Sequence, residues 1–148
     1  MIDNHHKNIA TFIHLSTFSR FIIPFGNFIG PLILWVANKD KSPFIDAHGK
    51  QIINFQISIL LYSLIIGAIT IPFFIFNFFN GIDFINFHNL DDFHFNIRRP
   101  SSLLYFTGIL GGLAIIAFIL EIVSIIKASL KAREGEAFKY PITIQFLK

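Results

Sequence analysis

The chain has no cysteine, one tryptophan and one methionine, and charged residues fill only 14% of its 148 positions. The absence of cysteine removes disulfide staples, thiolate metal ligands and cysteine nucleophiles together. The scarcity of charge goes with 53% hydrophobic residues and a mean hydropathy of +0.62, which excludes an ordinary soluble domain: a fold this small could not hide so much apolar surface. Missing too are any nucleophile motif, phosphate-binding loop or pair of carboxylates, so the expectation is a non-enzyme without a cofactor. The net charge of +3 is small for a nucleic-acid binder, and no nucleic-acid partner is expected.

What is present is a series of apolar runs separated by short polar stretches. Residues 1–7 lack the basic region and small-residue cleavage site of a signal peptide, so the first apolar segment is expected to be kept. That segment, about 9–37, contains Arg20 and is interrupted by Pro24, Gly26, Asn27, Gly30 and Pro31. One span needs roughly 20 apolar residues. The segment is therefore too long for one straight helix and marginal for two. A single broken span is preferred over a hairpin about residues 24–27, because a hairpin arm would bury Arg20, which is costly unless paired. Trp35 suits an interfacial anchor.

Ser42 can cap a second helix, 43–79, with Pro43 at its first position and a span over 52–71. Its polar residues Asp46, Lys50, Asn54, Ser58 and Tyr62 recur every four positions, a stripe that should face protein and not lipid. Pro72 permits a kink or an end. Residues 80–100 form the one long polar connection, followed by a third helix, 101–133, capped by Ser101 or Ser102, and a tail, 134–148. Gly135 is placed to end that helix in a left-handed conformation, and the alternation in Ile142-Thr143-Ile144-Gln145-Phe146 suits an extended tail. Ser63 with Gly67 and Gly108 with Gly112 have the spacing of close helix packing.

Eight Lys or Arg (Lys39, Lys41, Lys50, Lys127, Lys131, Arg133, Lys139 and Lys148) fall in loop 38–50 and the segment from Lys127, against Arg98 and Arg99 in the long connection. The positive-inside rule then puts loop and tail in the cytoplasm and the connection outside. The expected partners are anionic lipid headgroups at that basic face, and either a membrane protein or further copies of the chain.

Several elements together resemble the bacterial Tic-twenty-like small membrane proteins, related to a subunit of the chloroplast inner-envelope import translocon. They are His14-Leu15-Ser16, Ile23-Pro24-Phe25-Gly26-Asn27 with Gly30-Pro31-Leu32, Ser42-Pro43-Phe44-Ile45-Asp46-Ala47-His48-Gly49-Lys50, Asn54-Phe55-Gln56, and Gly135-Glu136 with Tyr140-Pro141. The resemblance implies a helical bundle of three or four spans and a link to protein translocation or envelope maintenance.

The fold expected is therefore all-α: a polytopic bundle forming one membrane domain, with three spans and a broken first segment, or four spans if that segment is a hairpin. Two candidate sites follow. At about 1.5 Å per residue, Asn54 and Gln56 lie roughly 6 to 9 Å inward from Lys50, and Glu121 lies at a similar depth inward from Lys127, so Asn54, Gln56, Ser58, Tyr62 and Glu121 could form an intramembrane polar cluster. The preferred role is interhelical hydrogen bonding to Asn54, Gln56, Ser124 or Tyr62; the rival is conduction. Asp46, His48, Gly49 and Lys50 form a cytoplasmic-face motif. Asp83, His88, Asp91, Asp92 and His94 match no metal-ligand spacing, and no metal site is expected. The function expected is that of a helper, scaffold or translocon-like subunit of the bacterial inner membrane, the alternative a homo-oligomeric channel or carrier lined by the stripe.

Overall fold

The computed structural model describes residues 2–81 and 101–148, and side chains over 2–76 and 105–148. The metal-compatible residues Asp83, His88, Asp91, Asp92 and His94 lie outside the described residues, as do the cap interactions of Ser101 and Ser102. The described elements are all helical: α1 (Asn4–Leu15), a 3-10 helix (Ser16–Phe21), α2 (Gly26–Asn38), a short 3-10 turn (Lys39–Lys41), α3 (Pro43–Gly81) and α4 (Ser101–Glu134). Stretches Pro43–Phe76 and Tyr105–Glu134 are long and apolar enough to cross a membrane. The chain is a polytopic helical membrane protein, as its composition implies.

The helix boundaries follow local chemistry. Ser42 is extended, and its Oγ accepts from Phe44 N at 3.2 Å while Pro43 occupies the first helical position. At the other end Gly135 takes φ +86°, its N–H reaches Ala132 O, and Glu136 N reaches Lys131 O at 2.9 Å. That pair of bonds is the Schellman arrangement for closing a helix. Pro72 does not end α3, which continues to Gly81.

The first segment is broken as expected, and the break is a fold-back. The turn at residues 22–25 includes Phe25 at φ +59°, and α2 then packs on α1 and the 3-10 helix. Gly26 and Gly30 are more than helix breakers there. A Cβ on Gly26 would lie 2.4 Å from the Ser19 carbonyl, and one on Gly30 2.5 Å from Ser16 O. Ser19 Oγ donates across the contact to Gly26 O at 2.6 Å. Local geometry thus takes the hairpin form that Arg20 argued against, because Arg20 has a partner, described below.

The described residues divide into two compact units. The first comprises Met1–Tyr62 and Phe118–Lys148 and contains a core of Ile13, Ile45, Ile52, Phe55, Ile125, Ala128 and Tyr140. The second, Ser63–Ala117, exposes most of its large apolar side chains, among them Leu64, Ile69, Ile109 and Ile115, with Phe73 and Phe106 in ring contact at 4.4 Å.

Replacing Gly26 or Gly30 by Ala should lower thermal stability in mild detergent by about 1–3 kcal/mol, the usual cost of overpacking. Helix propensity alone would raise stability by about 1 kcal/mol, so the sign of the change reports the close approach.

Candidate functional site

The Asp46-Ala47-His48-Gly49-Lys50 motif opens α3 inside the first unit. Asp46 accepts from Trp35 Nε1 at 2.9 Å and pairs with Lys50 at 2.6 Å. Gly49 lies under the indole: a Cβ there would be 2.0 Å from Trp35 Cδ1. Trp35, expected as a lipid anchor, instead fastens α2 to α3. His48, buried, meets His14 of α1, with His14 Nε2 2.8 Å from His48 Nδ1.

His14 Nδ1 in turn lies 2.8 Å from the Tyr140 hydroxyl. Tyr140 is 2% exposed and stacks on Phe55 at 4.2 Å. Burial, and secondarily the Glu121 carboxylate, push its hydroxyl well above the ordinary tyrosine value of 10.0, so it keeps its proton. As a protonated phenol Tyr140 can donate to His14 Nδ1 or accept from it, and the tautomer of His14 sets the sense of both bonds in the line. His48 Nε2 is buried without a hydrogen-bond partner among the described residues.

Glu121, 6% exposed, pairs with Arg20 of the 3-10 helix and not with Asn54 or Gln56. The guanidinium also lies over the Phe118 ring, 5.6 Å from its centroid. Gln56 accepts from Asn27 Nδ2 at 2.8 Å, while its Nε2 and Thr17 Oγ1 are buried without partners among the described residues. The expected cluster is therefore three sets of contacts: Glu121 with Arg20, Gln56 with Asn27, and Asn54, Ser58 and Tyr62 with something else.

That something is the tail. Asn54 Nδ2 donates to Leu147 O, and Asn54 Oδ1 accepts from Phe146 N and Leu147 N. Ser58 Oγ accepts from Ile144 N at 2.9 Å, and Tyr62 donates to Ile142 O at 2.8 Å. The pairing rests on a match of repeats. Four residues of helix rise about 6 Å, and two residues of extended chain advance about 6.6 Å, so positions 54, 58 and 62 meet 146, 144 and 142 in antiparallel order. Every one of these bonds is made to main-chain atoms of the tail. At its root Ile142 stands at φ +57°, a conformation costing a β-branched residue about 1–3 kcal/mol.

The remaining expected positions lie in the second unit. A Cβ on Gly108 or Gly112 would meet open space, and one on Gly67 would meet only Ile71 of its own helix, so these small residues take no part in close packing among the described residues. Ser63, their neighbour in the proposed motif, does make an interaction. Sequence reasoning passed over Arg20, His14, Trp35 and Tyr140 as site residues. The available signals were a charge in an apolar segment, and polar rings placed where lipid or core would be expected. Among the described residues no group of three or more His, Asp or Glu is placed to hold a metal ion.

Two helices of spanning length, with a unit in which Arg20 pairs with Glu121 and Asn54, Ser58 and Tyr62 hold the tail, define a small polytopic membrane protein. The chain belongs to the magnetosome magnetite crystal formation protein family (MamF/MmsF), whose family model matches residues 5–147. No curated protein and no solved structure matches it. Nothing in these comparisons bears on the Tic-twenty likeness.

Stranding one partner of the buried pair, with Arg20→Met or Glu121→Leu, should cost about 1–3 kcal/mol in detergent unfolding. The double variant should lose less than the sum of the two. Because Tyr140 has a raised folded value, its contribution to stability is full below pH 10 and lost as pH rises toward that value. In an absorbance titration the Tyr140 phenol should ionise above the ordinary tyrosine range and together with unfolding of the first unit. Tyr140→Phe should remove that step.

Proposed function

We propose that the chain is a helper or scaffold subunit of a bacterial inner membrane that works by helix packing and has no enzymatic activity. The observation that carries this reading is the commitment of the polar residues of the first unit to one another: Glu121 to Arg20, and Asn54, Ser58 and Tyr62 to the tail. The described helices of the second unit add apolar surface open to other molecules, exposed over Leu64, Ile65, Ile69, Ile109 and Ile116, with open glycines at 108 and 112. Membership of a family described by magnetite crystal formation supports work within a specialised membrane, alongside other proteins. The narrower role of a subunit in protein transport rests on the Tic-twenty likeness alone.

The charge bias supports an orientation with loop 38–50 and the tail in the cytoplasm. Anionic lipid headgroups are the natural ligands of that face. The cleft lined by Trp35, Lys39, Asp40, Ser42, Asp46 and Lys50 sets two ammonium groups against two carboxylates, Lys50 being paired with Asp46, so the attraction for headgroups comes from the excess of Lys and Arg over the whole face. The rival function, a homo-oligomeric channel lined by the stripe, would need the tail to leave Asn54, Ser58 and Tyr62.

Affinity purification in mild detergent should return defined membrane-protein partners. Recovery of the monomer alone under several conditions would count against a scaffold. Liposomes containing the protein should show no ion flux above empty vesicles; flux abolished by replacing Asn54 and Glu121 together would establish the channel instead.

A further inference from the structure

Three observations converge on the tail. Its hydrogen bonds with α3 are all to main-chain atoms, at Ile142 O, Ile144 N, Phe146 N, Leu147 N and Leu147 O, and its one core contact is the Leu147 side chain, a seat that the same tail of a second copy fits equally. The track cannot stand empty without loss: Asn54, 4% exposed with the tail in place, would lose all three of its side-chain hydrogen bonds, and Ser58 would keep only its bond to Asn54 O. Between the firmly held Tyr140 and the first tail bond, at Ile142 O, lies only Pro141, and Ile142 itself stands in a left-handed conformation that a β-branched side chain resists.

We propose that the tail exchanges between copies of this chain, residues 142–148 of one copy lying on Asn54, Ser58 and Tyr62 of another. Exchange keeps every tail hydrogen bond and frees Ile142 from the sharp turn that folding back on its own α3 imposes. It is the low-cost route to a dimer open to any chain whose terminal element is joined through a strained hinge. Seven extended residues reach at most about 25 Å, so the two α3 helices must run side by side. The outward side chains of Ile142, Ile144 and Phe146, at 79%, 39% and 46% exposed, then lie at the junction between copies.

The absence of cysteine makes the test clean. Two differently tagged full-length copies, one carrying Ser58→Cys and the other Thr143→Cys, the half-buried position on the tail face opposite Ile144, are co-expressed, and the membranes are oxidised and run on a non-reducing gel. A disulfide-linked heterodimer is expected, several-fold above the pair Ser58→Cys with Ile144→Cys, whose side chain faces away from the track. Adding Ile142→Gly to both copies relieves the hinge and should lower that yield several-fold. A single copy carrying both Ser58→Cys and Thr143→Cys reports the tail's seat within one chain. If that variant closes internally and the mixed pair gives no more heterodimer than its control, the tail stays on its own α3 and the proposal fails. If neither closes, or if Ser58→Cys is captured only by a different protein, the tail is not the occupant and the proposal fails equally.

Discussion

A polar side chain that leaves water in an apolar chain must find a partner, and the first unit is arranged around that requirement. Arg20 reaches Glu121 across a sequence separation of 101 residues, tying the 3-10 helix to α4. His14, His48 and Tyr140 join α1, α3 and the segment after α4 in one line of hydrogen bonds. Asn54, Ser58 and Tyr62 hold the tail. The apolar core of Ile13, Ile45, Ile52, Phe55 and Ile125 supplies most of the burial, yet it would fit several arrangements of four short helices. The polar pairs select among them, since each mismatched arrangement strands a charge or an amide.

Much of the local structure was legible because it depends on a few neighbouring residues. Ser42 with Pro43, Gly135 and the break before Gly26 behave as their backbone chemistry requires. The every-fourth stripe on α3 and the alternation in the tail were each visible as well. Their pairing was not. It depends on two repeats of about 6 Å from different secondary structures coming into register, and neither segment signals the other. Glu121 was assigned to amide neighbours by depth alone, which orders groups along the membrane normal but says nothing of which helix stands beside which. Gly26 and Gly30 were read for what they do to their own helix. Their closer role, admitting Ser16 and Ser19, emerges only once the chain folds back.

The same division explains how function is apportioned. In the first unit Arg20, Glu121, Asn54, Ser58 and Tyr62 are engaged in holding helices and tail, while Thr17, Gln56 and His48 each keep a buried polar atom without a partner among the described residues. The described helices of the second unit present mostly apolar side chains, which lipid or another helix can cover equally well.

The seat of Trp35 over Gly49 has a consequence for how such a chain can change over time. The indole fills the volume that any side chain at position 49 would need, and its N–H occupies one oxygen of Asp46. Positions 35, 46 and 49 are thus one unit of inheritance: a larger residue at 49 can persist only where 35 has become smaller, and a smaller 35 releases 46 from its duty as acceptor. Drift at this corner of the protein must proceed by correlated steps.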